Sequence, residues 1–90
     1  MKIITNIFGP DVRLKEKISL EMASATLRDV LRSLPSKQEG PWKRIIKDDL
    51  SLEKGYVILV NGRNIRSLED LETKIQDGDE ITFTVLVSGG

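Results

Sequence analysis

The sequence predicts an α+β domain in which one sheet packs against one principal helix. Three observations predict it: two β-rich stretches flanking Gly9-Pro10-Asp11, a helical apolar stripe at Leu27, Val30, Leu31 and Leu34, and two later apolar runs at residues 56–60 and 80–87. A hairpin followed by a helix and further strands leaves one apolar stripe and one sheet face, which are buried together most simply as two layers. Ninety residues allow one such domain and not two, because each half of a divided chain would bury too little surface to offset its conformational entropy. The 39% apolar content supplies the core, and the absence of cysteine and histidine removes disulfides and zinc ligand sets as stabilisers.

Lys2–Phe8 reads as the first strand, being rich in β-branched and aromatic residues and closed by turn chemistry at Gly9-Pro10-Asp11. Residues 12–20 read as its hairpin partner, with Val12, Leu14, Ile18 and Leu20 on even positions and charges between them. A helix is expected after Thr26, whose hydroxyl can cap free amides while Asp29 sits three residues on in a near capping box; Pro35 is its expected stop. Residues 36–55 carry weaker patterning, with a breaker at Gly40-Pro41 and a helical turn expected around residues 42–46. Tyr56–Val60 has the pattern of a buried strand, Asn61-Gly62 that of a tight turn, and residues 64–66 that of a short edge strand. Residues 67–75 are either a helical turn or an irregular connection. Asp77-Gly78-Asp79 forces a turn, and residues 80–87 alternate Ile81, Phe83, Val85 and Val87 against Thr82, Thr84 and Leu86 in a last strand. If that strand lies beside the first, both are central. Ile4 and Phe8 oppose Ile3 and Ile7, and Val57 and Leu59 oppose Tyr56, Ile58 and Val60. One helix covers only one sheet face, so the apolar residues of the other face are either a partner surface or are covered by the middle segment.

Composition narrows the function classes. Lysine plus arginine and aspartate plus glutamate each count 14, so no long-range field gathers phosphate backbones or anionic lipid; neither nucleic acid nor a membrane is an expected partner. The longest apolar run, Tyr56–Val60, is too short to span a bilayer and no signal-peptide layout opens the sequence, so a cytoplasmic protein is expected. With no histidine or cysteine and no Gly-rich phosphate loop, the usual nucleophile and base pairings have no residues, and neither a catalytic residue nor a metal site is expected. Acids cluster at Asp48-Asp49, Glu69-Asp70-Glu72 and Asp77-Asp79-Glu80, where solvated turn and surface charge outweighs a cation site. Arg28, Arg32, Lys43, Arg44, Lys47, Arg63 and Arg66 are interrupted by acids and read as a mixed surface. Trp42, beside Ile45 and Ile46, reads as core before it reads as a recognition anchor.

The C-terminus is different. A strand apolar through Val87 that ends in Ser88-Gly89-Gly90 has no sheet or core reason to finish with two glycines, the residues most costly to order. Without Cβ atoms, Gly89 and Gly90 can thread a narrow channel and leave the terminal carbonyl open to attack. Extended, residues 87–90 reach roughly 13–14 Å, enough to enter another protein's active site. Against this stands a frayed polar end or an expression remnant.

Leu59-Val60-Asn61-Gly62-Arg63, the stretch at 71–75, Asp77-Gly78-Asp79-Glu80 and terminal Val87-Ser88-Gly89-Gly90 together resemble the small subunit of molybdopterin synthase and the small archaeal modifier proteins. The resemblance follows the order of elements through the whole chain and is concentrated in residues 58–90. It implies a ubiquitin-like β-grasp domain over residues 1–86 and a flexible Gly-Gly tail over 87–90. It further implies that Gly90 is adenylated with ATP by a ubiquitin-activating-type enzyme and converted to a thiocarboxylate, with no permanently bound cofactor. The chain is then a carrier, not a catalyst, within a molybdopterin synthase complex, donating sulfur to a pterin precursor through the large subunit. The alternatives are conjugation of Gly90 to target-protein lysines, or sulfur supply to thiamin or tRNA thiolation. One departure stands out: relatives often carry proline before the tail, whereas this chain reads Phe83-Thr84-Val85-Leu86-Val87.

Overall fold

The computed structural model describes residues 1–10, 12–22, 24–37, 42–47 and 49–85, with side chains at all of these except 35–37 and 43. Strands β1 (Lys2–Phe8) and β2 (Arg13–Ser19) form the expected antiparallel hairpin, with Ile3 opposite Ile18 and Ile7 opposite Leu14. The ladder is one residue shorter at each end than the alternation suggests, but amide bonds from Gly9 to the Val12 carbonyl and from Leu20 to the Met1 carbonyl, each 2.8 Å, close both ends.

A two-residue strand, β3 (Ala25–Thr26), leads into helix α1 (Leu27–Lys37). The Thr26 amide donates to Asp29 Oδ2 (3.1 Å) and the Asp29 amide donates to Thr26 Oγ1 (3.3 Å), the reciprocal capping that the sequence indicates. Leu27, Val30, Leu31 and Leu34 are fully buried. Pro35 does not stop the helix, which continues to Lys37. Proline forfeits one intrahelical hydrogen bond, and so near the C-terminus the burial of Leu31 and Leu34 outweighs that loss. Helix α2 (Trp42–Ile45) is a single turn that places Trp42 entirely inside the core, edge-on to Phe83 with centroids 5.0 Å apart. Trp42 is a core residue.

Strand β4 (Tyr56–Val60) turns through Asn61 and Gly62, both at positive φ (51° and 84°), into β5 (Arg63–Asn64). The edge strand falls one residue earlier than expected because Asn64 Oδ1 accepts from the Arg66 amide (2.9 Å) and bends the chain into a 3-10 turn at Ile65–Ser67. A second such turn at Asp70–Glu72 precedes β6 (Lys74–Ile75), which pairs antiparallel with β3. Gly78 (φ 89°) then admits the last strand, β7 (Glu80–Val85).

The main sheet has the order β2-β1-β7-β4-β5, with β7 parallel to β1 and antiparallel to β4. First and last strands are therefore neighbours inside the sheet, as expected from their apolar character. Ile3, Ile7, Ile58, Ile81 and Phe83 face α1 and α2 and are at most 2% exposed.

Candidate functional site

Gly90, with the tail residues Val87, Ser88 and Gly89, lies outside the described residues, as does the expected boundary at residue 86. The structure fixes the tail's root. Strand β7 is described through Val85, which pairs with Tyr56 of β4, while the preceding Thr84 pairs with Val57 of β4 and with Phe8 of β1. Because β1 and β7 run parallel, Phe8 at the end of β1 arrives at the same edge of the sheet from which the tail departs.

Alternation places Phe8, Thr84 and Val57 on the face opposite the core. The same face carries Ile4, Thr82 and Leu59, linked by the pairs Asn6 with Thr82 and Leu59 with Thr82. Ile4, Val57 and Leu59 are half-buried, and Phe8, 47% exposed, is the exposed large hydrophobic residue among those described. The middle segment packs on the other side through Trp42, Ile45 and Ile46. Among the described residues, the middle segment therefore lies on the core side, and this face keeps its partial exposure.

Two further features complete this face. Arg13, Lys15 and Lys17 of β2 stand across from Phe8, Asn6 and Ile4, so a basic row borders the apolar band. At its centre Asn6 is 3% exposed and donates through Nδ2 to Glu80 Oε2 (2.7 Å) and Thr82 Oγ1 (3.1 Å). Its Oδ1 is buried without a partner among the described residues. The two donations fix the amide orientation, since the flipped side chain would set oxygen against the Glu80 carboxylate. The basic row escapes a search for charge runs because Leu14 and Glu16 interrupt it. Its trace in the sequence is the charge at positions 13, 15 and 17 between the even-numbered residues of the hairpin.

The acidic clusters serve turns. Asp77 Oδ1 accepts from the Lys2 amide (2.6 Å), Asp79 Oδ2 from the Gln76 amide (2.8 Å), and Asp79 Oδ1 from Asn61 Nδ2 (3.1 Å). Glu72 pairs with Arg28 at 3.0 Å. Hydrogen bonds from the Ser51 hydroxyl and then its amide hold the Asp49 carboxyl below its ordinary value. Asp48 lies outside the described residues. Arg28 is thus committed to Glu72, and Arg44, from the expected mixed basic surface, reaches the neighbourhood of the tail root, while the Lys43 side chain lies outside those described.

The sequence matches the ThiS family model over residues 6–90. The chain belongs to the ThiS family. Among relatives of this ThiS-family protein, a candidate sulfur carrier protein of Archaeoglobus fulgidus is 32% identical over 73 residues, 81% of this chain and 83% of that one. Small archaeal modifier protein 3 of Haloferax volcanii is 36% identical over 66 residues, 73% of this chain and 71% of that one. In structure it resembles SAMP1 of Haloferax volcanii, with a TM-score of 0.71 at 23% identity over all of both chains. It also resembles the molybdopterin-converting factor of Helicobacter pylori, solved as a complex of subunits 1 and 2, with a TM-score of 0.63 at 22% identity over all of both chains. At those identities the structural likeness establishes the ubiquitin-like β-grasp fold, in agreement with the five-stranded mixed sheet and one main helix. The ThiS-family protein is accordingly a sulfur carrier or ubiquitin-like modifier of the kind found among the small archaeal modifiers.

Proposed function

We propose that the protein is a cytoplasmic sulfur carrier that works through the carboxylate of Gly90 and supplies sulfur for molybdopterin synthesis. The observation that carries this reading is the Ser88-Gly89-Gly90 end placed just beyond a strand whose root is bordered by an open apolar face. A carboxylate is a poor acyl donor until one oxygen becomes a good leaving group. In the proposed reaction a Gly90 oxygen attacks the α-phosphate of ATP within a ubiquitin-activating-type enzyme, and pyrophosphate leaves. A sulfide-equivalent nucleophile then adds to the acyl carbon, the bond to AMP breaks, and the thiocarboxylate remains on Gly90. The chain's own part is to dock, through Phe8, Ile4, Val57 and Leu59, and to deliver the tail. The thiocarboxylate would next enter a molybdopterin-synthase large subunit, a reading supported by the likeness to a chain of the two-subunit converting-factor complex.

The second reading, conjugation of Gly90 to lysines of target proteins, is favoured by the 36% identity to a small archaeal modifier. The family match equally accommodates sulfur supply to thiamin or thiolated tRNA. Both share the adenylation step.

Intact mass, after incubation with ATP, sulfide and the host's adenylating enzyme, tests the common core of these readings. Exchange of one oxygen for sulfur is expected in the full chain and not after deletion of Gly90, which leaves the thermal transition unchanged. Equal conversion of a chain ending at Gly89 would refute it. Addition of molybdopterin precursor and large subunit then separates the fates: consumption of the thiocarboxylate supports the first, and adducts on lysine the second.

A further inference from the structure

The tail's root has a second wall, on the opposite side of β7 from Phe8. There Tyr56 and Val85, paired across the sheet, line a cavity of about 500 Å³ together with Pro10 and Ile45. Arg44 and Lys54 complete it, and neither forms an ion pair among the described residues. The Tyr56 hydroxyl likewise makes no hydrogen bond there, and it lies so close over Gly9 that a Cβ at that position would overlap it.

The two cations are carried on walls that are tied together. The Glu53 amide donates to the Ile45 carbonyl (2.8 Å), the Tyr56 amide to the Glu53 carbonyl (3.1 Å), and Ile46 bridges Leu52. Each charged residue is therefore next in sequence to a residue of that clamp, which limits how far the walls can separate. The result is an apolar floor of Pro10, Ile45 and Val85 bordered by a guanidinium, an ammonium and a phenol, with Glu53 as the one acid among the described lining residues.

We propose that this cavity receives a carboxylate side chain of the protein that takes up the tail, a proposal that rests on the function proposed above. The position argues for it, since a protein that encloses the residues after Val85 must approach the surface around Val85. The charges also argue for it, since two cations without an ion pair among the described residues, and a phenolic donor, complement an acid. The docking chemistry then differs on the two sides of the emerging tail. Phe8 and its neighbours on one side supply apolar contact, while Arg44 and Lys54 on the other fix the direction in which the tail enters.

The test measures kcat and KM for ATP-dependent thiocarboxylation of the full chain by the host's adenylating enzyme. Replacement of both cations, Arg44→Ala with Lys54→Ala, is expected to raise KM about tenfold with kcat little changed, and to flatten its salt dependence. The pair Arg63→Ala with Lys74→Ala, exposed cations away from the root, should leave KM as it is. Removing the acid, Glu53→Gln, should lower KM about two- to threefold, because it relieves competition for the same cations. An unchanged KM for the Arg44 and Lys54 pair, an equal rise in the control pair, or a rise for Glu53→Gln would overturn the proposal while wild-type turnover upheld the carrier function. Absence of turnover in the wild type would overturn both.

Discussion

The two faces of the main sheet are built by the same strands and meet different ends. In β7, Ile81 and Phe83 are fully buried beneath the helical layer, while Thr82 and Thr84 between them stay partly exposed. In β1, Ile3 and Ile7 are sealed and Phe8 is 47% exposed. Among the described residues, a single helix and one short helical turn cover one face. The apolar residues of the other face thus contribute less to folding and remain available for docking, which separates stability and recognition by one step along each strand.

The largest expected effect lies on the closed face. Phe83→Ala removes the ring that meets Trp42 edge-on at the sheet centre, so it loses both transfer energy and packing. Urea unfolding should show a loss of about 3–5 kcal/mol. A loss below about 1 kcal/mol would mean that the sheet's two faces do not differ as described.

Phe8→Ala tests the opposite case. Its stability should stay within about 0.5 kcal/mol of the parent, as for other exposed positions. Its KM with the adenylating enzyme should rise by about tenfold or more, as expected of an aromatic anchor at the centre of an interface. If unfolding and KM changed the other way round, Phe8 would belong to the core and the tail would be recognised without this face.

The contrast between faces was largely legible in the sequence because it follows from period-2 alternation. Lys2–Phe8 and Tyr56–Val60 have the expected bounds, and Thr26 with Asp29 marks the helix start through local chemistry. Features made by distant residues were not legible. Two-residue strands such as β3 and β6 have no period to read, and their pairing joins residues some fifty positions apart, Ala25 with Ile75. Pro35 misled because its cost is local whereas the burial that overrides it is tertiary. The proposed tail chemistry rests on Ser88-Gly89-Gly90, a local signal that lies outside the described residues, together with the motifs at residues 58–80. The cavity at its root joins residues 10, 44, 54, 56 and 85, which only the topology brings together.

The smallest effect divides the open face itself, into its apolar band and the basic row of β2. Lys15→Ala with Lys17→Ala removes two exposed charges and should leave stability within about 0.5 kcal/mol. Long-range attraction governs encounter more than residence, so the association rate with the adenylating enzyme should fall several-fold at low salt while dissociation changes little. At about 0.5 M salt, where the screening length shrinks to a few ångströms, the variant and the parent should associate equally fast. Phe8→Ala, by contrast, should keep its defect at every salt concentration, because apolar contact is not screened. A salt-independent defect in the lysine pair would show that the Lys15 and Lys17 stems pack against the partner along with Phe8, and the open face would then act as one apolar surface whose charges are incidental.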